Sequence, residues 1–175
     1  YYSYYDINDF IICCGYKSNI IKEYFSNYFM YTSDITFDMQ NNDMIIHKKN
    51  TEPWKVTLVD TGENVMTGGR LKRVKDYLIN EECFCFTYGD GLSNVNIKKL
   101  VEYHKKSKCL ATVTAVRPMG RFGVLGIGKD NYVKKFEEKP IENMGWINGG
   151  FFVLKPKVID YIASDKTSWE TDPMI

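Results

Sequence analysis

The sequence predicts an α/β protein with a doubly wound, mostly parallel sheet flanked by helices, and three observations carry that prediction. Continuous apolar runs, such as 10–14 (Phe-Ile-Ile-Cys-Cys) and 83–88 (Cys-Phe-Cys-Phe-Thr-Tyr), read as buried strands. Between them, apolar residues recur at three- and four-residue spacing, the period of a helix packed on one face. The two patterns alternate along all 175 residues, as they do in βαβ units.

Taken in order, the run 10–14 stops at Gly15, and Ile20, Ile21, Tyr24, Phe25, Tyr28 and Phe29 set the first helix. Short strands over 35–39 and 44–47 flank the turn Asn41-Asn42-Asp43, and 54–59 alternates as another strand. After Gly68-Gly69, a second helix follows from Leu71, Val74, Tyr77 and Leu78. The strand 83–88 closes in Gly89-Asp90-Gly91, and a third helix aligns Ile97, Leu100, Val101 and His104. A β-branched strand over 109–116 ends before Pro118, further strands cover 132–136 and 147–154, and Pro156 opens a last helix through Ile162. No repeat, linker or low-complexity stretch divides the chain, so 1–175 reads as one domain.

Charge narrows the partners. Twenty-three Lys plus Arg against 22 Asp plus Glu leave a formal charge of +1, with no basic block of the kind a nucleic-acid binder gathers. A small-molecule partner is expected, and no nucleic acid. No apolar run approaches the ~18 residues of a membrane helix, so no membrane partner is expected. The start, Tyr1-Tyr2-Ser3-Tyr4-Tyr5, has neither a signal-peptide pattern nor an initiator Met, which points to an internal segment of a longer polypeptide. Five cysteines with only two histidines, His47 and His104, argue against zinc and for buried free thiols in a reducing cytoplasm.

In a parallel sheet, ligands bind beyond the carboxyl ends of the strands. Asp90, between two glycines after the run 83–88, stands where a hydrated Mg²⁺ and a phosphate can approach; a plain turn is the competing reading. Phe136-Glu137-Glu138-Lys139-Pro140 offers a lysine as a point charge for phosphate and a carboxylate for hydroxyls, against the reading of a solvated lysine. In Trp146-Ile147-Asn148-Gly149-Gly150-Phe151-Phe152, paired glycines mark either close ligand approach or a β-bulge, and Asn148 can both donate and accept. Thr67-Gly68-Gly69-Arg70 starts a helix, where free N–H groups favour an anion or a base edge, unless it is a simple capped turn. Arg121, in Gly120-Arg121-Phe122-Gly123, is either an anion contact or an exposed turn arginine.

Together and in this order, Gly-Asp-Gly at 89–91, Arg-Phe-Gly at 121–123, Glu-Glu-Lys-Pro at 137–140 and Ile-Asn-Gly-Gly-Phe-Phe-Val at 147–153 resemble the sugar-1-phosphate nucleotidyltransferases. The stretches 10–17, 54–62 and 66–73 resemble the subgroup that couples CTP to glucose 1-phosphate, and the likeness runs over essentially the whole chain.

The resemblance implies a Rossmann-like fold and a set of roles. Asp90 is a Mg²⁺ ligand, and Lys139 contacts the sugar phosphate, with Glu138, Asn148 and Gly149 near the sugar. Thr67, Gly68, Gly69, Arg70 and Gly89 lie by the nucleotide, with Gly15, Tyr16 and Arg121 as further candidates. The implied reaction yields CDP-glucose and pyrophosphate in the cytoplasm, feeding sugars of bacterial surface polysaccharides such as O-antigen, and the enzyme self-associates when complete. The resemblance also implies a Gly-rich triphosphate loop with Gly-Thr-Arg before Tyr1, and a second metal-binding Asp beyond the segment Trp169-Glu170-Thr171-Asp172-Pro173. Its competitors are a thymidylyl or uridylyl transferase and a non-catalytic nucleotide-sugar-binding homologue. A glycosyltransferase ranks last, because Asp-x-Asp occurs nowhere in the chain.

Overall fold

The structure, a computed structural model, describes residues 1–49, 51–118, 123–138 and 145–174. The chain forms two compact units, Tyr1–Glu81 with Pro156–Ile175, and Glu82–Lys155.

In the first unit, β1 (Asp9–Cys14) pairs in parallel with β4 (Lys55–Asp60), Asp9 opposite Lys55 and Cys14 opposite Asp60. Their connection holds α1 (Ser18–Ser26), α2 (Tyr28–Thr32) and an antiparallel hairpin, β2 (Ser33–Asp38) and β3 (Asp43–Lys49). The helix expected to continue through Phe29 breaks at Asn27. Ser26 Oγ and Asn27 Nδ2 both donate to the Glu23 carbonyl, at 2.9 and 3.0 Å, and so compete with the backbone ladder. The hairpin turn is held by Asp38, whose carboxylate accepts from the Gln40 and Asn41 amides, and by Asn42 at φ 52°.

The second expected helix is also in two pieces, α3 (Thr67–Arg73) and α4 (Lys75–Leu78). Its apolar face, Leu71, Val74 and Leu78, is buried, as are Val158, Ile159 and Ile162 from the returning chain. The α-helix expected after Pro156 is instead a 3₁₀ helix over Pro156–Tyr161. Ile162 N–H turns back to Ile159, and Lys72 Nζ takes the Ile162 and Ala163 carbonyls at 2.7 and 3.0 Å, so the chain leaves the helical path there.

In the second unit, β9 (Ile147–Leu154) is the central strand of a sheet ordered β5-β9-β6, with β5 (Phe84–Thr87) and β6 (Ala111–Val116) both antiparallel to it. Two strands antiparallel to the same neighbour are parallel to each other. Joined through α5 (Ile97–Ser107), β5 and β6 therefore make a βαβ unit split by β9. The parallel relations expected from the alternating pattern are present at β1–β4 and between β5 and β6, while β9 enters in the opposite sense. Central placement explains why Phe151, Phe152, Val153 and Leu154 are all at most 2% exposed. A separate antiparallel hairpin joins β7 (Val124–Ile127) and β8 (Val133–Glu137). The sequence reading missed β7, a four-residue exposed strand broken by Gly126.

None of the five cysteines is in a disulfide; Cys14 is buried, Cys13, Cys83 and Cys85 are half-buried and Cys109 is exposed, so the expected burial of the thiols is met only in part. Burial pushes the Cys85 thiol up to about 11. Among the described residues, no helix is long and apolar enough to cross a membrane.

Asn96 caps α5 by accepting from Lys99 N–H at 3.0 Å. Near the other end His104 is fully buried, its Nδ1 2.8 Å from Thr112 Oγ1, and Nε2 has no hydrogen-bond partner among the described residues. Burial, then the charge of Lys155, holds this imidazole below its ordinary value. The unfolded chain therefore takes up the proton first. The ring's stabilising contribution is full above the unfolded value of ~6.5 and is lost as pH falls through the folded value. Urea midpoints should fall between about pH 7.5 and 5.5, and His104→Asn, which cannot titrate, should flatten that profile; equal slopes would assign the loss to other groups.

Candidate functional site

In the first unit the candidate residues gather at the carboxyl ends of the parallel pair. Cys14 and Asp60 end the strands, and Thr61, fully buried, donates from both its N–H and its Oγ1 to the Cys14 carbonyl, each at 2.8 Å. Arg70 reaches this point from α3. Its Nη1 donates to Thr61 Oγ1 at 2.8 Å and its Nη2 to the Glu63 carbonyl at 3.0 Å. The guanidinium lies over Gly15, where any Cβ would collide with it. A fixed cation thus stands at the strand ends with donors to spare, the arrangement an anion needs. Tyr16 is exposed beside it in sequence, and Lys17 adopts a left-handed φ of 55°.

Thr67, Gly68 and Gly69 meet the chain's own return segment. Thr67 Oγ1 donates to Glu170 Oε2 at 2.8 Å and accepts from Trp169 N–H at 2.9 Å. Gly69 N–H donates to the Thr167 carbonyl and Met66 N–H to that of Asp165. A Cβ on Gly68 would sit 2.7 Å from the Thr167 carbonyl oxygen, and one on Gly69 2.6 Å from Asp165 backbone atoms. Both glycines are therefore required for close backbone packing. Arg73 and Asp165 reinforce the same contact with two hydrogen bonds at 3.0 and 2.6 Å, which hold the Asp165 carboxyl below its usual range.

In the second unit Gly89 and Asp90 form an exposed turn after β5. A Cβ on Gly89 would meet nothing within 4 Å, so packing among the described residues does not explain this glycine. Beside the end of β5, Asn148 Nδ2 donates to Tyr88 Oη at 3.2 Å, Asn148 Oδ1 accepts from Gly150 N–H at 2.8 Å, and Thr87 Oγ1 donates to the Gly150 carbonyl at 2.8 Å. The β6–β9 register shifts between Val113 and Ala115, so the paired glycines lie in a β-bulge. Gly150 takes φ 78° against the Tyr88 ring, and Gly149 packs on the Thr114 carbonyl. The bulge reading of these glycines is realised, and its result is an orienting clamp on the Asn148 amide.

Glu138 follows β8 and faces Gly123, whose Cβ would lie 3.0 Å from a Glu138 carboxylate oxygen. Lys139 and Arg121 fall outside the described residues. The sequence reading missed Thr87 and Tyr88 as partners of Asn148 and Gly150, and missed the segment 165–170 as the partner of Thr67, Gly68 and Gly69. Their partners lie roughly 60 to 100 positions away, beyond any local pattern.

The first unit holds a cation at the ends of its parallel strands, and the second holds an oriented amide on Tyr88, just after β5. The chain belongs to the nucleotidyl transferase family, whose model matches residues 4–175. It is 55% identical over 174 residues to the glucose-1-phosphate cytidylyltransferase of Salmonella typhimurium, covering 99% of this chain and 67% of that protein. It is 42% identical to the probable glucose-1-phosphate cytidylyltransferase of Bacillus subtilis, with the same coverage. Among solved structures it resembles HddC from Yersinia pseudotuberculosis in fold, with TM-score 0.59 at 24% identity over 95% of this chain and 64% of that one.

Gly69→Ala should destabilise the chain by about 1–3 kcal/mol, the scale of overpacking against backbone that cannot retreat. A thermal or urea melt measures this, and an unchanged midpoint would show that the return segment moves aside freely.

Proposed function

We propose that this chain serves the transfer of a cytidylyl group from CTP to glucose 1-phosphate, giving CDP-glucose and pyrophosphate. The observation that carries the reading is 55% identity across 99% of the chain with the Salmonella typhimurium cytidylyltransferase. The chain spans about two thirds of that relative, so the activity is proposed for the full-length polypeptide.

The chemistry is a displacement at phosphorus. A phosphate oxygen of glucose 1-phosphate attacks the α-phosphorus of CTP, the new P–O bond forms, the bond to the β-phosphate breaks, and pyrophosphate leaves. No protein nucleophile is required, so positioning and charge neutralisation are the protein's contribution. Two polyanions must meet, which calls for fixed positive charge. Arg70, held by Thr61 and Glu63, supplies it in the first unit, with Thr67, Gly68, Gly69 and Gly89 assigned to the nucleotide. Lys139 is assigned to the sugar phosphate, and Glu138, Asn148 and Gly149 to the sugar. Asn148 suits this role because its amide is already oriented by Tyr88 and Gly150.

The divalent cation we assign is Mg²⁺, and Asp90 would hold it. Mg²⁺ takes one or two protein carboxylates and completes its shell with phosphate oxygens and water, so a single exposed carboxylate beside an open glycine fits. When bound it neutralises phosphate charge. Five cysteines outside any disulfide favour a reducing cytoplasmic setting.

In the full-length polypeptide with Mg²⁺, Asp90→Ala and Lys139→Ala should each lower turnover by about 100-fold or more, read as pyrophosphate release. CTP should outcompete UTP and TTP when all three are offered with glucose 1-phosphate. Near-normal turnover in a variant would remove that residue from the mechanism, and preference for another triphosphate would reassign the base.

A further inference from the structure

A cavity of about 230 Å³ opens in the first unit, lined by Phe25, Tyr28, Glu52, Trp54 and Val56. It lies at the start of β4, where Trp54 precedes the strand and Val56 is its second residue. Arg70 stands at the opposite, carboxyl end of the same strand, on Thr61. Phe25 is in the last turn of α1 and Tyr28 opens α2, so side chains from both sides of the break at Asn27 reach the cavity.

Three of these lining residues are aromatic, and contacts within the chain hold their rings. Trp54 Nε1 donates to Ser3 Oγ at 2.6 Å, and Phe10 meets the indole edge-on, with centroids 6.4 Å apart and planes at 86°. The Tyr28 ring centroid is 5.7 Å from that of Trp54 and 6.4 Å from that of Phe25. The indole N–H is therefore satisfied inside the chain, and what the ring offers a ligand is its π surface.

The charge selects the ligand. Glu52 is exposed and has no cationic partner among the described residues, while the nearby Lys55 is taken by Asp9 at 2.7 Å. A carboxylate repels anions, which excludes the phosphate-bearing substrates assigned to the other end of the strand. A metal ion needs several oxygen ligands, and the lining side chains offer a single carboxylate. A primary ammonium is compact and strongly hydrated. A quaternary ammonium ion spreads its charge over methyl groups, and aromatic faces, that of Trp above all, attract it.

We propose that this cavity binds a small, free quaternary ammonium ion, its cationic head among Phe25, Tyr28 and Trp54 and beside the Glu52 carboxylate. The inference is independent of the activity proposed above. The rings supply most of the attraction, and the exposed carboxylate adds a smaller share because water screens it.

Titration of the 175-residue chain with choline chloride tests the site. It is followed through the Trp54 indole N–H resonance, which Trp54→Phe assigns by its disappearance. Saturable binding with a millimolar dissociation constant is expected. The neutral carbon isostere, with tert-butyl in place of trimethylammonium, should bind about tenfold more weakly, and Glu52→Gln should weaken choline by about three- to fivefold. A resonance that never shifts overturns the proposal. So does equal affinity for the isostere, which would make the cavity simply apolar, and so does unchanged affinity in Glu52→Gln. Retention of the chain on phosphatidylcholine vesicles would place the ligand in a lipid headgroup and overturn the free ion.

Discussion

β9 is the strand on which the second unit depends. Both β5 and β6 hydrogen-bond to it and not to each other, so the split βαβ unit closes only when residues 147–154 insert between its two parallel strands. Burial of Phe151 to Leu154 supplies the apolar stabilisation, and the bulge at Gly149 and Gly150 then turns the strand where β5 ends. That turn gives Asn148 its geometry. Its amide oxygen is held by Gly150 of its own strand and its amide nitrogen by Tyr88 at the end of β5, so one side chain is oriented by two neighbouring strands.

The first unit has a comparable long-range dependence. Arg70 is set over Gly15 because α3 is packed in place, and α3 is packed in place by the segment 165–170. Glycines at 68 and 69 let backbone meet backbone, and the hydroxyl of Thr67 bridges Glu170 and the Trp169 amide. Trp169 itself is fully buried. The helix start that an isolated reading would offer to an anion has much of its donor capacity taken by the chain itself, and the free cationic donors belong to Arg70.

Much of this was legible locally. The apolar runs at 10–14 and 83–88 became strands, half-buried rather than buried except at Cys14, while the helical spacing of Ile97, Leu100 and His104 and the turn at Asn41-Asn42-Asp43 became the elements those residues specify. Local chemistry also shows why the first helix broke at Asn27, where short polar side chains compete for the Glu23 carbonyl. The strand β7 escaped because four exposed residues around a glycine leave no periodic signal. In the candidate site, Asp90, Arg70 and Asn148 were legible as residue types at strand and helix ends. Tyr88, Thr87, Thr61 and the return segment were harder to see as partners, because each is defined by what it touches.

The sequence by itself determined the alternation of strands and helices, the ordered set of motifs and the family, since these rest on local periodicity and on residue identity at fixed spacing. Tertiary structure decided the sense in which β9 runs, whether the paired glycines form a bulge, and which backbone groups at the α3 start remain open. Those outcomes are contacts between residues far apart in the chain, and a hydrogen bond's partner is fixed by packing and register. A one-dimensional pattern carries neither.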